Sequence, residues 1–281
     1  MMKTFAPMIV FPFAKVNLGL HVLRVRPDGY RDIETVFLPI PLRDALELVP
    51  DSSVPQGEVI FTRSGIPVPG SVTEDLCYKA FRMLASDHSL PGARMHLHKA
   101  IPLGAGLGGG SSDAAHVLKL CDTAFGLGLA QEELTRKAAA LGSDCAFFLH
   151  EGPQWATARG EVLEPIHLDL SGQWLALVNP GIHISTAEVY AHTPVRDQPG
   201  GALRKAMALP REKWQTAITN DLEGHVYRTR PTVREIKEAL LHVGAWYAAM
   251  SGSGSSVFGL FDHEPPTLSW PAGHIYRCFR L

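Results

Sequence analysis

The stretch RMHLHKAIPLGAGLGGGSSDAAHVLKLCDTAFG, residues 94–126, constrains this chain more than any other. Its first part, 94–102, alternates as a strand does, and its last part, 111–126, carries apolar residues round a helix. Between them stand Gly104, Gly106, Gly108, Gly109 and Gly110. A backbone so stripped of Cβ atoms can approach something closely. Three readings fit: a dinucleotide site, a cradle for the phosphates of a nucleoside triphosphate, or a flexible turn. Gly104, Gly106 and Gly109 satisfy G-x-G-x-x-G between strand and helix, the context of a dinucleotide fingerprint. Three points count against it. The motif follows a long run of other strands. The acids some twenty residues on, Glu132 and Glu133, fall inside a predicted helix. The loop also runs on into hydroxyls at Ser111 and Ser112. A Walker A loop needs a lysine before its serine, and none precedes Ser111. The physics of phosphate binding still fits, because converging N–H groups and a helix start both favour an anion. Ser111 or Ser112 is the expected N-cap, with Asp113 in the positive first turn.

With 281 residues the chain can bury a sizeable core. Its 26 Lys and Arg against 28 Asp and Glu give a net charge of −2, which weighs against a dedicated nucleic-acid binder. The four cysteines, Cys77, Cys121, Cys145 and Cys278, show no C-x-x-C spacing and read as free thiols, not as a zinc or disulfide framework. His96 and His98 share a strand face with no acid or cysteine beside them to complete a metal set. The N-terminal apolar run is broken by Pro7 and Pro12 and lacks a small-residue cleavage site, so a cytoplasmic protein is expected.

Residues 13–25 alternate and predict a half-buried strand, and PDG at 27–29 predicts a turn. Strands are expected at 33–40, 44–50 and 57–62, and helices at 74–87, 111–126 and 131–141 with Gly142 at C′. SDCAFFLHEG, 143–152, reads as a turn into a strand. QWLALVNPG predicts a strand, 192–212 irregular chain, and PTVREIKEALLHVG a helix ending at Gly244. AWYAAMSGSGSSVFGLF predicts strand, loop, strand. This mixture predicts an α+β fold, not a doubly wound sheet.

PLGAGLGGGSSDAA resembles the second motif of the GHMP kinases. FAKVNLGLHVLRVRPDGYRDIETVF, LGSDCAFFL, NPGIHISTAEVY, TNDLE and MSGSGSSVFGLF are similar to other segments of that superfamily, in order, from about Ala14 to Phe261. They are closest to its branch that phosphorylates 4-diphosphocytidyl-2-C-methyl-D-erythritol in non-mevalonate isoprenoid synthesis. The resemblance implies a ribosomal-protein-S5-like N-terminal domain, 1–155, and a ferredoxin-like C-terminal domain, 156–281, with ATP and Mg²⁺ used in the cleft between them. It implies a monomer or weak homodimer that works on small molecules, not on nucleic acid or membrane.

By the same resemblance Asp144 is the catalytic base, and Lys15 lies beside it to orient the hydroxyl and steady the moving phosphoryl. The ATP side comprises Asp75, Lys99, Pro102, Gly104, Ala105, Gly106, Leu107, Gly108, Gly109, Gly110, Ser111 and Ser112, with Ser112 also a Mg²⁺ contact. The acceptor side comprises Asn17, Tyr30, Arg31, Phe37, Thr186, Tyr190, Ser251, Gly252, Ser253 and Gly254. Lys15 and Asn17 lie on one strand face, about 6.6 Å apart along it. The chain departs from the family at Arg31, where histidine is common, at Asp75, where asparagine often stands, and at Ser143 and Cys145–Ala146. A different alcohol acceptor, or an RNA-binding use of the N-terminal fold, are the competing expectations.

Overall fold

The computed structural model describes residues 8–196 and 200–281; the expectation for 192–212 therefore falls partly outside it, as does Pro7. Its strands are β1 (Met8–Val10), β2 (Phe13–Val25), β3 (Arg31–Arg43), β4 (Ala45–Pro50), β5 (Val59–Gly65), β6 (Ala93–Lys99), β7 (Gln154–Thr157), β8 (Val162–Pro165), β9 (Trp174–Asn179), β10 (Tyr247–Met250), β11 (Val257–Phe261) and β12 (Ile275–Arg280). Its helices are α1 (Leu76–Asp87), α2 (Gly109–Phe125), α3 (Gln131–Leu141), α4 (Thr186–Ala191), α5 (Ala202–Met207), α6 (Trp214–Ala217), α7 (Glu223–Thr229) and α8 (Pro231–His242).

Compactness does not follow chain order. Of the described residues, one unit gathers those up to Ala14, Leu42–Leu103 and Gly108–Glu151; the other gathers Lys15–Pro41, Gly104–Leu107 and those from Gly152 onward. The first unit holds a sheet of order β1-β4-β6-β5, antiparallel except for the parallel pair β5–β6. α1 links those two parallel strands, as a parallel pair requires a crossover. It begins where Asp75 accepts the Cys77 N–H, and it buries Cys77, Ala80, Phe81 and Leu84 at helical spacing. α2 is buried from Ser112 to Leu118 without a break, as expected of a helix apolar nearly all round.

The second unit holds most of the sheet β2-β3-β7-β8 and all of the sheet β10-β11-β9-β12. In the latter every neighbouring pair is antiparallel. α8 starts with Pro231 at a position where the lost N–H costs nothing, and it packs Val233, Ile236 and Leu240 against β10 and β11. The α+β expectation holds.

Four local expectations are corrected. β2 is not half-buried: both of its faces are covered from Ala14 to Val22, so Lys15, Asn17 and His21 are enclosed polar residues. Residues Cys145–Leu149 form a 3-10 turn, not a strand; a short run of five buried apolar residues has no periodicity that separates the two. α2 is capped by Gly108 at φ 69°, and Ser111 and Ser112 lie inside its first turn. Asp113 is then too far along to serve the first turn and points into the core. The irregular segment 192–212 contains the short helix α5.

Candidate active site

In the second unit the sequence-predicted residues Lys15, Asn17, Gly106 and Ser251 form one bonded group. Lys15 Nζ donates to Asn17 Oδ1 at 2.6 Å, and Asn17 Nδ2 donates to Thr35 Oγ1 at 2.9 Å. The amide is thereby fixed in orientation, with one hydrogen already used. Thr35 Oγ1 in turn donates to the Gly19 carbonyl. Ser251 Oγ accepts the Asn17 N–H at 3.2 Å and donates to the Gly106 carbonyl at 2.8 Å. The Lys15 N–H donates to the Leu107 carbonyl, and the Ser256 N–H to that of Ala105. The loop segment Gly104–Leu107 is thus laid against β2 and against the third glycine segment, Ser251–Gly254. Gly106 allows this approach: it sits at φ 75°, and a Cβ there would stand 1.9 Å from the Ser251 carbonyl oxygen.

Phe37 is buried with Lys15 Nζ 5.0 Å from its ring centroid, a cation–π contact. Tyr30 is 55% exposed and carries the Arg159 guanidinium over its ring at 5.0 Å. Arg31 is half-buried at the start of β3. Thr186 opens α4 and shares a hydrogen bond of 2.8 Å with Ser253 Oγ. Tyr190, on the same helix, packs half-buried against the apolar cluster under α7 and α8.

In the first unit lie the two stems of the glycine loop. Gly108 and Gly109 open α2, Pro102 is buried, and Ser111 is half-buried. Ser112 is enclosed, its Oγ turned toward His116 Nδ1 at 3.4 Å. The hydroxyl expected to contact Mg²⁺ is thus enclosed in the unliganded chain. Among the described residues no group of three His, Cys, Asp or Glu side chains could hold a metal by itself, and a Mg²⁺ carried on nucleotide phosphates needs no such group. Asp75 spends its carboxylate on the α1 cap and on Arg63, 3.1 Å away. Lys99 turns its ammonium inward to Asp44 and to Asp113, so this predicted ATP contact offers no side chain to a ligand. Burial holds the Asp113 carboxyl well above its ordinary range, opposed by the Lys99 ammonium and reinforced by Asp44. Burial works against the Lys99 charge, but the two carboxyls outweigh it and its pKa lies above the usual lysine value. Asp144 stands half-buried at the head of the Cys145–Leu149 turn. Burial pushes the neighbouring Cys145 thiol up to about 11, which leaves it inert.

Several working residues escaped the sequence reading. Asn220, inside TNDLE, donates to the Met250 and Gly252 carbonyls at 2.9 and 2.8 Å and so holds the third glycine segment. Thr35 fixes Asn17, and His183 closes on Gly104, where a Cβ would stand 3.0 Å from its Nδ1. Asp44 gives no signal, and Asp113 reads as a first-turn acid, since only the fold brings the two to Lys99.

In the second unit the loop segment Gly104–Leu107 thus lies against the strand that carries the enclosed Lys15–Asn17 pair. Residues 75–152 match the GHMP kinases N terminal domain, and residues 198–267 match the GHMP kinases C terminal. The chain is 46% identical over 261 residues to the 4-diphosphocytidyl-2-C-methyl-D-erythritol kinase of Parabacteroides distasonis, covering 92% of this chain and 93% of that one. It is 47% identical to the enzyme of that name from Azobacteroides pseudotrichonymphae, covering 90% and 93%. A crystal structure of 4-(cytidine 5'-diphospho)-2C-methyl-D-erythritol kinase superposes with a TM-score of 0.74 at 35% identity, covering 90% of each chain. Mevalonate kinase from L. major, at 18% identity and a TM-score of 0.69 over 92% of this chain and 88% of that one, shares the fold. The chain belongs to the GHMP kinases, in the family of the 4-diphosphocytidyl-2-C-methyl-D-erythritol kinases. Among the described residues no helix is long and apolar enough to cross a membrane.

Proposed function

We propose that this kinase transfers the γ-phosphoryl group of ATP to the 2-hydroxyl of 4-diphosphocytidyl-2-C-methyl-D-erythritol, in the cytoplasm, with ATP taken as its Mg²⁺ complex. The observation that carries the reading is identity of 46% across nine-tenths of the chain to a relative of that name. Phosphoryl transfer needs positioning, charge neutralisation and a proton acceptor more than covalent help. The N–H groups at the start of α2 and along the loop receive the phosphates, because a helix start and a run of glycines present donors without side chains in the way. Ser111, the more open of the two hydroxyls, adds a donor. Asp144 accepts the hydroxyl proton. Lys15 neutralises charge on the moving phosphoryl. Asn17, held by Lys15 and Thr35, spends its remaining amide hydrogen on the polyol.

The cytosine is received by aromatic faces, with Tyr30 and Tyr190 stacking and Phe37 as a wall. Arg31 supplies donors only, so it serves the carbonyl oxygen of the base and not its amino group. Thr186 and Ser251–Gly254 contact the polar part of the acceptor. The test is a substrate panel with ATP: the cytidine compound, mevalonate and homoserine. Turnover confined to the cytidine compound is expected. Turnover of mevalonate or homoserine with none of the cytidine compound would overturn the assignment.

A further inference from the structure

The glycine loop hangs between two stems. One is the end of β6 with the residues that follow it, Ala100 and Ile101. The other is the first turn of α2. Three ionisable side chains join the stems, each at most 2% exposed. Asp44, on the link between β3 and β4, is the hub. Its Oδ1 accepts the N–H groups of Ala100 and Ile101 at 2.5 and 2.8 Å, and its Oδ2 accepts from Lys99 Nζ. Lys99 then reaches the other stem, donating to Asp113 Oδ2 at 2.7 Å. It does so beneath Gly109. A Cβ on Gly109 would stand 3.0 Å from Lys99 Nζ and 2.8 Å from Ile101 Cγ2. The glycine at the first position of α2 therefore lets the helix rest on the ammonium.

Such a cluster is a poor way to gain stability. Each buried ion costs several kcal/mol to desolvate, and an apolar replacement of equal volume is often as stable. What charges add is direction: each bond ties a named atom of one stem to a named atom of the other. Phosphoryl transfer rewards that, since a misplacement of about 1 Å costs on the order of 10²-fold in rate. We propose that Asp44, Lys99 and Asp113 are positioning residues for the phosphates of ATP, a buried clamp that sets the spacing and angle of the two loop stems. None of the three touches the ligand. The clamp rests on the reading that this loop receives ATP.

Asp113 is the member to change, because its Oδ1 has no partner and a single bond ties it to Lys99. Asp113→Asn keeps an acceptor for Lys99; Asp113→Ala removes it. In steady-state kinetics on the full chain, Asp113→Ala raises KM for ATP about tenfold and leaves KM for the alcohol within about twofold. Asp113→Asn restores ATP affinity to within about threefold of the parent. If Asp113→Ala does not fold, Asp113→Leu, which refills the vacated volume and leaves Lys99 paired with Asp44, removes the tie and is expected to show the same ATP-selective loss. A variant with a lower melting temperature but unchanged KM for ATP, or with both KM values raised together, overturns the clamp. Gly110→Ala separates the two levels, because its added Cβ meets no protein atom within 4 Å. If Gly110→Ala raises KM for ATP and Asp113→Ala does not, the clamp alone falls. If neither does, the loop reading falls and the clamp with it.

Discussion

Two glycine segments of this kinase are held in place by opposite chemistry. The stems of the loop at 104–110 are tied by buried ionisable groups, Lys99 between Asp44 and Asp113. The third segment, Ser251–Gly254, is tied by neutral groups: Asn220 to two carbonyls, and Ser251 to Asn17 and Gly106. The difference lies in what happens when one partner is lost. A neutral hydrogen bond contributes about 0.5–1.5 kcal/mol net, and its loss is local. Loss of a lone counter-charge strands ions in the core, a cost of about 3–5 kcal/mol. The charged stems therefore tolerate loss of a partner less well than the neutral segment does.

The largest expected effect is that of Lys99→Met. It leaves two buried carboxyls without their cation and lowers unfolding free energy by about 3–5 kcal/mol in denaturant titration. A loss below about 1 kcal/mol would put the two segments on an equal footing.

Acid is the next way to sharpen the contrast. Burial holds His116, on α2, down to about 4. The unfolded chain takes up this proton near pH 6.5 and the folded chain does not. Stability is therefore whole above pH 6.5 and falls as pH drops toward 4, by up to about 3 kcal/mol. His116→Gln flattens that part of the stability–pH curve; an unchanged slope would mean that another group carries it.

Smaller still is Asn220→Ala, which leaves the Met250 and Gly252 carbonyls without this donor and costs about 1–3 kcal/mol by thermal unfolding. Gly110→Ala closes the series. It improves helix propensity, by about 0.5–1 kcal/mol, in a place with no protein neighbour, so the unliganded protein melts slightly higher.

The sequence made the strand, loop and helix at 94–125 legible, because alternation, glycines and a helical apolar pattern sit in one run. The resemblance also put Lys15, Asn17, the loop and Ser251 among the expected site residues, though in three separate groups, and the fold bonds those four together. The sequence failed where the partner is distant. Lys99 reads as a ligand lysine until Asp44, 55 positions away, is folded beside it. Alternation in β2 reads as one wet face, but that face is buried, and Lys15, Asn17 and His21 are enclosed on it. Ser112 looks equivalent to Ser111 in sequence. One helical step decides that the first is half-open and the second sealed against His116. Asn220 lies in TNDLE, one of the segments that carry the resemblance, but nothing in that segment says that its amide holds two distant carbonyls.

The role of Asp144 is tested most directly by kcat of Asp144→Asn with ATP and 4-diphosphocytidyl-2-C-methyl-D-erythritol. The substitution keeps size and hydrogen-bonding capacity while removing the proton acceptor. A drop in kcat of about 10²–10⁴-fold is predicted, with both KM values within a few-fold of the parent. A variant that keeps the parent kcat would contradict the assignment of Asp144 as the base.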